Sequence, residues 1–99
     1  MRSKRFRFHP EASQDFREAI LWYRSRSPSV AVEFRLGVSD VIRQIVKAPE
    51  RWPKYLHGTR RFVLRRFPFS IIYLDDPDGL SIVAVAHSKR KPGYWKARL

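Results

Sequence analysis

Phe69-Ser70-Ile71-Ile72-Tyr73-Leu74, then Asp75-Asp76-Pro77-Asp78-Gly79, then Leu80-Ser81-Ile82-Val83-Ala84-Val85-Ala86-His87: this run decides the fold. Both flanks are dense in β-branched and aromatic residues, which suit a pleated surface. Between them lies a strong turn signal, because Asp hydrogen-bonds its own backbone and Gly supplies positive φ. The flanks are therefore the two strands of a hairpin. Val83 to Ala86 is a continuous run of small apolar residues, as expected of a strand covered on both faces, and belongs in the middle of a sheet. Upstream, Arg60 to Arg66 has the same character and supplies another strand. Arg5-Phe6-Arg7-Phe8-His9 alternates polar and apolar with period two and reads as a first, short strand.

The remaining periodicity is helical. Pro10 suits the first position of a helix, and Glu11 and Asp15 place negative charge near the positive end of its dipole. Ala12, Phe16, Ala19, Ile20 and Tyr23 form one apolar stripe, predicting a helix that ends near Arg26. Ser27-Pro28-Ser29 breaks it and caps a second helix, whose stripe is Phe34, Val38, Val41, Ile42 and Ile45 and which Pro49 stops. So short a link makes the helices an αα-hairpin. Residues 49–59 read as a loop anchored by Trp52 and Tyr55. The expected architecture is α+β: an N-terminal strand, then a two-helix hairpin packed on an antiparallel sheet of about four strands, with a short C-terminal tail from Ser88 to Leu99. Ninety-nine residues fit one domain, 1–99,.

Composition narrows the function. The absence of cysteine removes disulfides, thiolate zinc sites and Cys nucleophiles,. The three histidines are scattered, the acidic turn lacks the spacing of a calcium loop, and there is no Gly-rich phosphate loop, so neither metal nor cofactor is expected. No secretory h-region or membrane-length apolar stretch occurs, which makes the cytoplasm the expected location and gives no reason to invoke a membrane. The net charge is +12. It divides as +4 over residues 1–50, where 10 cations face 6 acids, and +8 over residues 51–99, where 11 face 3. Such a charge speeds encounter with polyanions or acidic proteins. Fifteen of the 21 cations are Arg, whose planar fork favours bidentate contacts to phosphate or carboxylate,.

Candidate site residues concentrate in the basic C-terminal half. On a strand from Arg60 to Arg66, Arg61 and Arg65 share one face and Arg60 and Arg66 the other. Lys89, Arg90 and Lys91 add charge on the tail, and Tyr94 and Trp95 add rings on which bases could stack. The plainer alternative is a solvated basic strand beside a tail whose aromatics, Trp95 above all, close the core. His87, at the end of the last strand, is the candidate titrating group, with hydrogen-bonded filler as its alternative role.

Arg65-Arg66-Phe67-Pro68-Phe69-Ser70-Ile71-Ile72-Tyr73, with Val83-Ala84-Val85-Ala86-His87-Ser88-Lys89-Arg90-Lys91-Pro92-Gly93-Tyr94-Trp95, resembles the signature of RelE/ParE superfamily toxins of type II toxin–antitoxin systems, a group that includes plasmid-stabilisation proteins. His9-Pro10-Glu11-Ala12 and Ala19-Ile20-Leu21-Trp22-Tyr23 extend the resemblance over nearly the whole chain. The resemblance implies a growth-arresting toxin, a cognate acidic antitoxin that wraps it, and one of two targets. ParE-like members poison DNA gyrase without known hydrolytic chemistry. RelE-like members cleave mRNA in the ribosomal A site without a metal.

Aligned on Ile71-Ile72-Tyr73, Ser70 stands where the nucleases carry an arginine. Val63 replaces one of their two basic strand positions, and Arg61 keeps the other. In the tail, Lys89 or Arg90 and Tyr94 or Trp95 are open matches to the nuclease arginine and tyrosine. Losing a transition-state cation costs roughly 10²–10³ in rate, so gyrase is the favoured target. Under the nuclease alternative, Arg61, Arg65 and Arg90 would bind phosphate, with His87 or Tyr94 as acid or base. A basic nucleic-acid-binding module is the third possibility.

Overall fold

The computed structural model describes residues 5–99. Strand β1 is Phe6–Phe8, helix α1 is Pro10–Arg26 and helix α2 is Pro28–Lys47. Strands β2, β3 and β4 are Arg60–Val63, Phe69–Asp76 and Gly79–His87. Short 3₁₀ turns occupy Pro49–Arg51, Leu56–Gly58 and Lys96–Arg98.

The helix ends follow from their capping groups. His9 Nδ1 accepts the Glu11 N–H at 3.1 Å, and Pro10 follows at the first helical position, where no N–H is needed,. Ser27 serves both helices: its N–H donates to Tyr23 O at 2.7 Å to close α1, and its hydroxyl accepts from Val30 N to open α2,. One residue thus turns the chain between helices. The stripe Phe34, Val38, Val41, Ile42 and Ile45 of α2 is buried as its spacing requires, against Ile71, Tyr73, Ile82 and Val85 of the sheet. Burying a side chain of this size contributes about 1.5–3 kcal/mol. On α1 the stripe is shallower, with Ala12 and Ala19 buried and Phe16, Ile20 and Tyr23 half-buried. Tyr73, buried between the layers, donates its hydroxyl to Pro49 O at 2.6 Å, which fixes the start of the connecting loop.

The sheet order is β1-β4-β3-β2. β4 is central, as its apolar run predicts. β2, β3 and β4 are mutually antiparallel, whereas β1 pairs with β4 in parallel, so the sheet is mixed rather than purely antiparallel. The reason is the turn at Gly79: it reverses the chain, and β4 then leaves Gly79 in the direction that β1 takes towards α1. Leu80 N donates to Arg5 O at 2.8 Å across this pair. A Cβ on Gly79 would stand 2.9 Å from that same carbonyl, so the position needs glycine,.

Ile72 faces Ala84 but Tyr73 faces Ile82, leaving Val83 unopposed in a β-bulge,. Val83 and Ala84 therefore both join Ile72 and Trp95 in a second cluster on the face away from the helices. The sheet is covered on both sides, by the hairpin within and by the C-terminal tail without. β2 is shorter than its sequence suggests. It ends at Val63: Leu64 N still donates to Phe69 O at 3.0 Å in the same register, but Phe69 N turns to Phe67 O at 2.8 Å instead of completing the pair. Arg65 and Arg66 leave the strand in the bend that follows, so the expected pairing of Arg61 with Arg65 on one strand face does not form. No described helix is long and apolar enough to cross a membrane.

Candidate functional site

Two grooves flank the sheet where β2 and β4 end. The first, of about 600 Å³, lies between α1 and the end of β4. Ala19, Trp22, Tyr23, Phe69 and Val85 give it an apolar body, and His87, Lys89 and Arg90 line one end. Val85 and His87 reach it because they share the inner face of β4, where His87 meets the Phe69 ring edge-on at 4.9 Å. His87 Nδ1 accepts the Lys89 N–H at 3.0 Å. In the neutral ring that fixes the remaining proton on Nε2. The imidazole thereby caps the turn that presents Lys89 and Arg90.

The second groove, of about 730 Å³, runs between α2 and the open edge of β2. Val41, Trp52, Phe62 and Phe67 lie within it, and Arg61, Arg65 and Arg66 on its walls. Arg61 stacks over Tyr55 at 4.1 Å, while Arg66 pairs with Glu33 and lies over Phe67 at 5.4 Å. Arg65 is exposed. The cations predicted as one constellation are thus shared between two surfaces: Arg61, Arg65 and Arg66 on one, His87, Lys89 and Arg90 on the other, with Lys91 exposed beyond.

Two of the predicted residues have structural positions. Arg60 donates to Trp52 O at 2.7 Å and Glu50 O at 3.2 Å, tying the loop before β2 to the strand. Trp95, expected as a stacking platform or as core, is core: only 1% exposed, it packs with Ile72, Val83 and Ala84 and leaves no face for a base.

Tyr94 lies between these roles. Its ring carries the Arg90 guanidinium at 3.8 Å, a cation–π contact, while its hydroxyl donates to Asp15 Oδ2 at 3.0 Å,. Burial first, then the charge and hydrogen bond of Asp15, push the phenol up to about 12,. A hydroxyl so held is a poor proton carrier at neutral pH.

Asp15 and Arg98 are the residues that sequence reasoning missed. Asp15 Oδ2 also accepts from Val85 N at 3.1 Å and from Arg98 Nη1 at 2.7 Å, and Oδ1 accepts from Arg98 Nη2 at 3.1 Å. Arg98 Nη1 further donates to Val83 O at 3.0 Å. Both side chains are about nine-tenths buried. Burial alone would lower the Arg98 pKa, but the hydrogen bonds and charge of Asp15 outweigh it and the net shift is upward. Asp15 is therefore a buried anchor rather than a mere complement to the helix dipole. The available signal was its place inside the apolar stripe, three residues after Ala12 and four before Ala19. Nothing local marks a partner 83 residues away.

On the outer face, Val63 of β2 stands opposite Ser70 of β3, which stands opposite Ala86 of β4. This cross-strand row is neutral from end to end. Among the described residues, no group of three His, Asp or Glu could hold a metal ion.

The chain, strongly basic as a whole, sets a helical hairpin on a mixed four-stranded sheet with two grooves bordered by cations, and it is a toxin of the RelE/ParE superfamily. The family model described as the ParE toxin of type II toxin-antitoxin system, parDE, matches residues 6–92, and the chain belongs to that family. It is a ParE-like toxin, and membership implies an antitoxin partner. A comparison with curated protein sequences finds no match. Among solved structures, a chromosomal ParDE toxin–antitoxin system from P. aeruginosa is similar at a TM-score of 0.76, covering 86% of this chain and 96% of that one. At 16% identity that likeness is one of fold.

Proposed function

We propose that the chain arrests bacterial growth by acting on DNA gyrase in the cytoplasm rather than by cleaving mRNA, and that an acidic antitoxin neutralises it. The neutral row Val63–Ser70–Ala86 carries this reading. The two positions at which the sequence departs from the nuclease pattern are direct cross-strand neighbours, so both cations are missing from one patch of sheet. Arg61 stands two residues away on the same face, with its guanidinium stacked on Tyr55. Neither Tyr94, whose phenol burial and Asp15 together hold protonated, nor buried Trp95 supplies an acid or base in their place.

The test is induction of the chain alone, followed by gyrase and transcript assays. Growth should stop, purified protein should inhibit supercoiling or trap cleaved DNA, and ribosome-bound mRNA should remain intact. Codon-phased cleavage of translated transcripts, abolished by Arg61→Ala, would install the nuclease reading instead. Unaffected growth would remove the toxin reading altogether.

A further inference from the structure

The geometry points to Asp15 as a positioning residue: by holding the Tyr94 hydroxyl and the Arg98 guanidinium it fixes the Tyr94 ring, and with it the Arg90 guanidinium offered to an antitoxin carboxylate at the first groove. Arg90 is exposed and belongs to a turn, so its own backbone does little to restrict where its long side chain points. The Tyr94 ring at 3.8 Å restricts it. That ring is itself oriented from its far end by Asp15, a residue of α1, the opposite wall of the same groove.

Charge supports the same chain of contacts. The Arg98 guanidinium also lies near the Tyr94 ring, 5.1 Å from its centroid, so two cations lie against one ring. Left uncompensated, they repel and the exposed one moves away. Asp15 neutralises Arg98 with two hydrogen bonds, which leaves the ring free to attract Arg90,. The Val85 N–H, on the floor of the groove, holds the carboxylate in register with the sheet. Asp15 touches no partner in this scheme. It acts through Tyr94.

Two readouts test this, and only the second involves a partner. Protons stacked over an aromatic ring are shifted upfield in NMR spectra, so the Arg90 δ and ε protons report the stack directly. Asp15→Asn and Tyr94→Phe should each move them towards random-coil positions. Tyr94→Phe keeps the ring and the Asp15–Arg98 pair, and decides the question if Asp15→Asn does not fold. Arg26, stacked over Trp22 at 3.8 Å on the α1 wall, is the internal control and should not change.

The second readout is affinity for the antitoxin co-expressed from the toxin's own operon, measured as a double-mutant cycle. Arg90→Ala should weaken binding about ten-fold, Asp15→Asn by a similar factor, and the double variant no further than either alone. A merely structural Asp15 would instead give losses that multiply. Unmoved Arg90 protons in both variants, wild-type affinity in Arg90→Ala, or multiplying losses would each overturn the proposal. Its functional half rests on the toxin–antitoxin reading and not on the target. A negative gyrase assay would leave both readouts intact.

Discussion

The two faces of the sheet are held by different physics. On the inner face, Phe34, Val38, Ile42 and Ile45 interdigitate with Ile71, Tyr73, Ile82 and Val85, and cohesion grows with apolar area,. The outer face buries Ile72, Val83, Ala84 and Trp95 beneath a tail that has only a short 3₁₀ turn of its own. That tail is fastened by the Asp15 carboxylate, through Tyr94 and Arg98. Area resists perturbation by degrees. A clasp made of one buried charge pair fails when one partner is removed, because the other is stranded without solvent.

The largest effect should come from the inner face. Phe34→Ala empties a site ringed by Phe16, Tyr23, Phe67 and Phe69, and should cost about 3–5 kcal/mol in denaturant unfolding,. A loss under 1 kcal/mol, on the order of a surface substitution, would mean that the core is looser than its packing indicates.

Removing the clasp comes next. Arg98→Ala leaves Asp15 buried and should cost about 3 kcal/mol, the low end for a broken buried pair,. The decisive measurement is hydrogen exchange. The Lys96 and Arg98 amides, bonded to Gly93 O and Trp95 O, should lose protection while those of Ile71 and Tyr73 in β3 keep theirs,. Equal loss throughout would show that the two faces unfold as one unit.

The smallest effect is a pH dependence. Tyr94 has its folded pKa raised to about 12 from an ordinary value of 10.0, so its stabilising share is complete below pH 10 and is lost as pH rises towards 12,. Tyr94→Phe should therefore flatten the fall of stability over that window. An unchanged slope would mean that Tyr73, whose pKa burial also raises, carries the alkaline transition alone.

These contrasts match what was legible in the sequence. Periodicity and turn chemistry act over a few residues, so the helices, the hairpin at Asp75–Gly79 and the central place of β4 could be read directly. The early end of β2 could not, since it depends on Phe69 N turning to Phe67 O instead of completing its pair with Leu64. The site was legible as composition but not as arrangement. Sequence put Arg61, Arg65, Lys89 and Arg90 in one constellation, and the strand order, with β3 between β2 and β4, places them on two grooves. Arg60 looked like one more cation, yet it bonds two loop carbonyls that no local pattern reveals.

The bulge at Val83 has a consequence of parity. β3 uses eight residues and β4 nine over the same hairpin, and strand side chains change sides at every step,. If Val83 kept strict alternation instead of bulging, everything after it would be inverted: Val85 would leave the core, and His87 would project onto the far side of the sheet, away from Phe69 and the Lys89–Arg90 turn,. The bulge, by absorbing one supernumerary valine, therefore keeps the histidine on the groove side of the molecule. Deleting Val83 should be tolerated better than inserting a second residue beside it, since deletion restores simple alternation and insertion reverses it.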